Sequence, residues 1–146
     1  MKAAVIYTSK TGNTEELAFV LRDSLSRRIH TDLFAIEHCP LNRLHEYEAI
    51  VIGTYTWGNG EIPSEMMTLY KWVELEETSH LTTGVFGTGD SFYPNFCGAV
   101  DEFRDMLYAH TNLAATLKVE LSPQANDRHK CEKFADILMN RMKQAV

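Results

Sequence analysis

The sequence predicts a doubly wound α/β fold, in which helices cover both faces of one five-stranded parallel sheet. Short apolar runs alternate along the chain with segments of helical periodicity, without internal repeats. The run 49–53 is continuously apolar, as a strand covered on both faces requires. Polar, glycine-containing loops follow the first, third and fourth predicted strands. A strand order of 2-1-3-4-5 makes these three strands neighbours at the point where the order reverses, which is where ligands bind in such sheets.

The first half of the chain supplies the elements around this predicted sheet centre. Residues 3–7 form the first predicted strand, and apolar residues at helical spacing predict a helix over 13–28. A second strand is predicted over 32–36 and is closed off by Pro40. Residues 41–47 indicate a short helical turn before the third strand.

The second half supplies the remaining two strands and three helices. Pro63 is expected to open the second helix, in the N1 region that proline favours, and the Met and aromatic residues that follow are interpreted as core. Strands are predicted over 84–87 and 115–121. Between these strands a helix is predicted, and its inward face carries Val100, Phe103, Met106 and Leu107. The last helix, from about residue 127 to the end of the chain, is expected to bury Cys131, Phe134, Ile137, Leu138 and Met142.

Length and composition limit the classes of function. A chain of 146 residues is expected to form one domain, 1–146. The formal net charge of -6 argues against a nucleic-acid surface. No stretch reaches the ~18 apolar residues of a membrane span, and no signal peptide is recognisable, so a cytoplasmic location is expected. The three cysteines and six histidines lack the spacings that are typical of metal sites or disulfide frameworks.

Residues 8–14 (Thr-Ser-Lys-Thr-Gly-Asn-Thr) connect the first strand directly to the first helix. Hydroxyls and backbone N–H groups at such a junction converge on one point, which suits an anion. The turn has neither the Walker pattern nor the dinucleotide G-x-G-x-x-G pattern, and its single glycine fits a monophosphate. The candidate ligands are Ser9, Thr11, Asn13 and Thr14. A simpler interpretation stays open, in which Asn13 or Thr14 only caps the helix.

Two further loops, 54–63 and 88–98, carry Trp57 and Tyr93 among glycines and polar residues. Trp57 and Tyr93 are placed to sandwich a flat ring system, each contact contributing ~0.5 to 1.5 kcal/mol beyond its buried area. Nearby glycines allow the backbone to approach the edges of that ring. The alternative is two unrelated surface aromatics, which are common in proteins.

Together these motifs closely resemble the flavodoxins, and the resemblance covers the whole chain. The matching stretches are 9–14, 56–60 and 89–98. The flavodoxin fold, with FMN at its strand reversal, has the same order of 2-1-3-4-5. Because the fifth strand is uninterrupted, the chain resembles the short-chain class of flavodoxins in its length. The resemblance therefore implies FMN as the cofactor.

The resemblance also implies roles for single residues. Ser9, Thr11, Asn13 and Thr14 would bind the FMN phosphate, and Trp57 and Tyr93 would stack on the ring. Gly58 would offer its carbonyl to flavin N5, while Asp90 and Cys97 would present backbone N–H groups to the pyrimidine edge. Tyr55 stands where many members have a serine that helps hold the phosphate, and Asn59 replaces a frequent aspartate. The full predicted cofactor-binding set is Thr8, Ser9, Lys10, Thr11, Gly12, Asn13, Thr14, Thr54, Tyr55, Thr56, Trp57, Gly58, Asn59, Gly60, Thr88, Gly89, Asp90, Tyr93, Asn95, Phe96 and Cys97.

No nucleophile–base pair or carboxylate pair is apparent around these loops, so the flavin is expected to carry the chemistry. The resemblance implies a low-potential one-electron carrier, a monomer without substrate turnover of its own. Its expected partners are flavodoxin/ferredoxin reductase-type donors and redox acceptor proteins, not nucleic acid or membrane. An FMN-dependent reductase or a ribonucleotide reductase activating flavoprotein of the same fold is the alternative. A flavin-free interaction module would leave Trp57 and Tyr93 without a shared purpose.

Overall fold

The computed structural model of the chain describes residues 1–145 and contains one parallel sheet at its centre. Its strands lie in the order β2-β1-β3-β4-β5, and every neighbouring pair is parallel, which confirms the predicted topology. The strands are β1 (Lys2–Tyr7), β2 (His30–Ala35), β3 (Ala49–Thr54), β4 (Thr82–Gly89) and β5 (Asn112–Glu120).

Four helices cover the sheet on both faces, also as predicted. They are α1 (Asn13–Ser26), α2 (Met67–Leu75), α3 (Gly98–His110) and α4 (Ala125–Gln144). Helices α1 and α4 pack over one face, and α2 and α3 pack over the other. The predicted helical turn before β3 is a 3₁₀ turn over Leu41–Glu46. Among the described residues, no helix combines the length and apolar character that a membrane span would need.

Alternation along the strands divides the apolar residues between two cores. In β1, Ala3, Val5 and Tyr7 face the core under α1 and α4, while Ala4 and Ile6 face the core under α2 and α3. Successive strand residues point to opposite faces, so a strand covered on both sides has to be apolar throughout. This requirement explains why the central strands are continuous apolar runs.

Two details of the predicted elements are wrong. Pro63 is extended, with a ψ of 140°, and precedes a 3₁₀ turn over Ser64–Met66, so the α-helix starts only at Met67. Ile137 is 38% exposed and does not belong to the buried core. It lies over β5, the edge strand, where the sheet no longer continues beneath α4. The remaining boundary differences, such as the start of β5 at Asn112, are shifts of one to three residues.

Candidate functional site

An open cleft of about 410 Å³ lies at the carboxyl ends of the strands. The three polar loops predicted from sequence converge on it. Its walls are formed by Lys10, Thr11, Asn13, Tyr55, Thr56, Trp57, Gly58, Thr88, Gly89, Asp90, Tyr93, Pro94, Asn95, Phe96, Cys97 and Leu121.

Two of these residues, Pro94 and Leu121, were not predicted from the sequence. Pro94 lies within the third loop, so its position in the sequence was a sufficient signal. Leu121 follows β5 directly and has a φ of 55°, while its N–H donates to the carbonyl oxygen of Gly89 at 2.7 Å. Its position at the carboxyl end of a predicted strand could have identified Leu121 as a cleft residue, because parallel strands end at the same edge of a sheet.

Seven predicted residues lie outside the cleft lining. Ser9 and Gly12 shape the first turn, while Thr8, Thr14 and Thr54 are buried beneath the loops. The Thr54 hydroxyl donates to the carbonyl oxygen of Tyr55 at 2.7 Å. The other two, Asn59 and Gly60, border a neighbouring groove. These residues support the loops that form the cleft walls.

The turn 8–14 is built around Gly12. This glycine has a φ of 97° and is the N-cap residue of α1, with no side-chain cap. Its N–H donates to the Ser9 hydroxyl oxygen at 3.1 Å, and its carbonyl oxygen accepts from Glu16 N–H at 3.0 Å. The interpretation of Asn13 or Thr14 as a simple helix cap is therefore wrong. The side chains of Thr11 and Asn13 instead line the cleft.

A buried pair of hydroxyls ties this turn to β4. The Oγ1 atoms of Thr14 and Thr88 lie 2.7 Å apart, and both side chains are buried. A hydroxyl has one hydrogen and two lone pairs, so each threonine can make this bond and still offer a further hydrogen-bonding position. The pair fixes the start of α1 against the strand that carries the third loop.

Glu65 joins two segments of the site and was not predicted. One of its carboxylate oxygens, Oε2, accepts hydrogen bonds from the Thr8 hydroxyl and from the Tyr55 hydroxyl, each at 2.8 Å. Burial raises the pKa of Glu65, but its hydrogen bonds, those from Thr8 and Tyr55 first, together with the charge of Lys10 outweigh burial and hold that pKa below its ordinary range. Burial and the bond to this carboxylate raise the pKa of Tyr55 to about 12.

The loop between β3 and α2 folds back on itself to present Trp57. The N–H and carbonyl of Trp57 bond to the carbonyl and N–H of Glu61 at 2.8 and 2.7 Å. The residues between them include Gly58, with a φ of 53°, and Gly60, with a φ of 108°. The tight turn leaves the Trp57 side chain 50% exposed at the mouth of the cleft.

The two loops that carry Trp57 and Tyr93 touch each other. The Asn95 side-chain amide donates to the Asn59 carbonyl oxygen at 2.7 Å. A Cβ added to Gly98 would lie 2.7 Å from the Gly60 Cα, so the two backbones are in close contact there. Ala99 N–H also donates to the Thr56 hydroxyl oxygen at 3.2 Å. The loops therefore form one wall of the cleft.

The third loop leaves Tyr93 67% exposed and the neighbouring Phe92 89% exposed. Asn95 and Cys97 adopt positive φ values of 59° and 51°, so the backbone turns sharply before α3. Burial raises the pKa of the Cys97 thiol to about 11, which keeps it neutral. This cysteine is therefore not a thiolate nucleophile.

Comparison with known proteins decides the family. The flavodoxin family model, described as "Flavodoxin", matches residues 5–134. This chain belongs to the flavodoxin family. It is 38% identical over 138 residues to Probable flavodoxin 1 of Bacillus subtilis (strain 168), a match that spans 92% of this chain and 87% of that protein.

Solved flavodoxin structures have the same fold over the full length. A flavodoxin from Streptococcus pneumonia TIGR4 superposes with a TM-score of 0.89 at 32% identity, covering 97% of this chain and 99% of that one. A short-chain flavodoxin associated with a non-canonical PDU bacterial microcompartment gives a TM-score of 0.91 at 29% identity, covering 100% and 99%. Flavodoxins are electron carriers with FMN as cofactor, and the same holds for this chain.

The cleft has the donor set that FMN requires. Hydroxyl and amide groups from the first turn line one part of it, and exposed aromatic rings on two loops line another. The turn at Gly12 presents backbone N–H groups without a side chain, and no atom lies within 4 Å of the position that a Cβ would occupy there. This arrangement matches a ligand in which a flexible chain joins a phosphate to a flat ring.

Proposed function

We propose that this protein carries single electrons at low potential from a reductase to acceptor proteins, without turning over a substrate of its own. The observation that carries the proposal is the chemistry of the cleft wall. Its Tyr55 and Cys97 are neutral, with pKa values of about 12 and 11, chiefly because Tyr55 is partly and Cys97 fully withdrawn from solvent. Among residues 1–145, the Tyr55 hydroxyl of the cleft lining does meet a carboxylate, that of Glu65, but the lowered pKa of Glu65 makes it a weak general base. When bound, the flavin supplies the electron transfer.

The protein's task at the phosphate end is binding. Thr11 and Asn13 line the cleft, and Ser9, whose oxygen accepts from Gly12 N–H, keeps its own hydrogen available as a donor. The start of α1 adds backbone N–H groups and the positive end of the helix dipole. These groups would hold the phosphate and set the position of the cofactor along the cleft.

At the ring end the protein's task is to cover the flavin and exclude water. Trp57 and Tyr93 are two exposed aromatic residues that line the cleft from the two touching loops, and these would stack on the ring. Gly58 would present its carbonyl to flavin N5. Asp90 and Cys97 would present backbone N–H groups to the pyrimidine edge. The remaining predicted residues would hold the loops in position.

We further propose that the carrier is a cytoplasmic monomer consisting of one domain, and that it takes electrons from a flavodoxin/ferredoxin reductase-type donor. The exposed rings of Trp57, Phe92 and Tyr93 support direct approach of a partner to the cofactor edge. The net charge of -6 supports protein partners with basic surfaces over nucleic acid.

Two kinds of measurement on the purified protein, cofactor binding and electron transfer, test this function. We expect one FMN per chain by absorption, with strongly quenched flavin fluorescence, and poor binding of FAD because the turn has no second phosphate site. The protein alone should not oxidise NADPH, and adding a ferredoxin–NADP reductase should allow electron flow through it to cytochrome c. Steady NADPH oxidation by the chain alone would contradict the proposal and favour the FMN-dependent reductase or the reductase-activating flavoprotein.

A further inference from the structure

Glu65 holds together two segments that the sequence assigns to phosphate binding. Thr8 is the first residue of the turn 8–14, and Tyr55 stands where the resemblance to flavodoxins implies a serine that helps hold the phosphate in many members. Both hydroxyls donate to the same oxygen, Glu65 Oε2, at 2.8 Å. Glu65 itself belongs to the 3₁₀ turn Ser64–Met66 that precedes α2. Three separate segments therefore meet at one carboxylate oxygen.

These bonds determine what Thr8 and Tyr55 can do for a phosphate. A hydroxyl carries a single hydrogen, and in both residues that hydrogen is directed to Glu65. Neither hydroxyl can then donate to a phosphate oxygen. The donors that remain on the turn are the side chains of Ser9, Lys10, Thr11 and Asn13, the Thr14 hydroxyl if Thr88 donates to it, and the backbone N–H groups.

Glu65 also places a negative charge beside the anion-binding turn. Its hydrogen bonds and the charge of Lys10 lower the pKa of Glu65 against the effect of burial, so it is ionised at neutral pH. The turn's own cation is Lys10, whose ammonium lies over the Trp57 ring. Among residues 1–145, Glu65 forms no ion pair with Lys10 or any other basic residue. Its charge is therefore not neutralised by direct contact.

We propose that Glu65 is the residue that sets how strongly this site prefers FMN over riboflavin. Its carboxylate positions Thr8 and Tyr55, and its charge opposes the charge of the phosphate, so the native preference for the phosphorylated flavin is lower than the donor set alone would give. The role of Glu65 rests on the proposed position of the phosphate at the turn 8–14.

Glu65→Gln separates the two effects, because the glutamine carbonyl still accepts both hydrogen bonds and carries no charge. Dissociation constants for FMN and riboflavin are measured by quenching of flavin fluorescence with protein freed of its native cofactor. We expect Glu65→Gln to bind FMN about three- to tenfold more tightly at low salt, since it removes a repulsion between charges near the protein surface. Riboflavin binding should stay unchanged, and the gain should shrink at 0.5 M KCl, where screening extends over only about 4 Å.

Two controls make the result specific. Glu74→Gln removes the same charge from an exposed position of α2 that makes no hydrogen bond to the turn, and it should leave both affinities unchanged. Glu65→Ala removes the acceptor as well as the charge, and it should weaken riboflavin binding because Tyr55 and its loop lose their anchor. Wild-type FMN affinity in Glu65→Gln, or equal changes for FMN and riboflavin, would overturn the proposal.

Thr11→Ala, titrated in parallel, distinguishes failure of this role from failure of the phosphate placement. A selective loss of FMN affinity in Thr11→Ala, with no effect of Glu65→Gln, would leave the phosphate at the turn and reject the role of Glu65. Equal losses of FMN and riboflavin in Thr11→Ala would reject the placement of the phosphate and, with it, the role of Glu65.

Discussion

The ammonium nitrogen of Lys10 lies 4.1 Å from the centroid of the Trp57 ring. Lys10 belongs to the turn 8–14 and Trp57 to the loop after β3, so this cation–π contact connects the proposed phosphate end of the cleft to its ring end. Trp57 is half exposed, so packing restrains only part of its indole. The lysine therefore contributes to the orientation of the tryptophan ring.

Replacing Lys10 tests this contribution. Lys10→Met keeps the length of the side chain and removes its charge, so we expect riboflavin to bind about two- to fivefold more weakly, the equivalent of ~0.5 to 1 kcal/mol for an exposed cation–π contact. Riboflavin is the appropriate ligand because it has no phosphate that would respond to the lost charge. Lys10→Arg should retain wild-type affinity. A tighter complex in Lys10→Met would contradict the prediction and would mean that the lysine covers a ring face needed by the flavin.

The buried pair Thr14–Thr88 should contribute to stability as well as to the site. Thr14→Val leaves the Thr88 hydroxyl without its partner at 2.7 Å, and we expect the free energy of unfolding to fall by about 1 to 3 kcal/mol. The double variant Thr14→Val/Thr88→Val should recover part of this loss, because no buried hydroxyl then lacks a partner. Urea denaturation of the cofactor-free protein measures both. Simple additivity of the two single losses would contradict the prediction.

Asn59 should control the orientation of the Gly58 carbonyl. Gly58 has a positive φ while Asn59 has a negative one, and Gly60 N–H donates to the Trp57 carbonyl oxygen at 3.2 Å, which closes a four-residue turn. Rotating the peptide between Gly58 and Asn59 would give Asn59 a positive φ as well. Asparagine tolerates that conformation, whereas a β-branched residue does not.

If the rotated peptide presents its carbonyl to flavin N5, which gains a proton on one-electron reduction, Asn59→Val should disfavour that reduction. If valine adds about 1 kcal/mol to the free energy of the rotated peptide, the first one-electron potential would fall by ~40 mV. Asn59→Gly, which removes the restriction, should raise the potential or leave it unchanged. Reductive titration followed by visible absorption measures both potentials. A wild-type first potential in Asn59→Val would contradict the prediction.

Gly98 should be intolerant of any side chain. A Cβ at this position would lie 2.7 Å from the Gly60 Cα and 2.9 Å from the Gly60 carbonyl oxygen, and backbone atoms cannot move aside as a flexible side chain can. We expect Gly98→Ala to separate the two aromatic loops, lowering the melting temperature and weakening FMN and riboflavin alike. Melting curves and flavin titrations measure these effects. A selective loss of FMN affinity would contradict this explanation, because the loops contact the proposed ring end.

Local patterns in the sequence were enough to predict the alternation of strands and helices, the parallel sheet and the three loops that converge on the cleft. These features depend on neighbouring residues: the apolar run 49–53 requires cover on both faces, and the polar turn 8–14 has to lie where a strand passes into a helix. The flavodoxin motifs extended this local information to FMN and to most residues of the cleft wall.

The meeting of distant side chains, in contrast, depends on the tertiary structure. The bonds of Glu65 to Thr8, the contact between Lys10 and Trp57, and the close packing of Gly60 against Gly98 join residues that local patterns cannot relate. Ile137 fits the apolar stripe of its helix but is 38% exposed, because its burial depends on where the sheet ends. Periodicity specifies which face of an element is apolar, whereas contacts across the fold depend on how the packed elements are placed relative to one another.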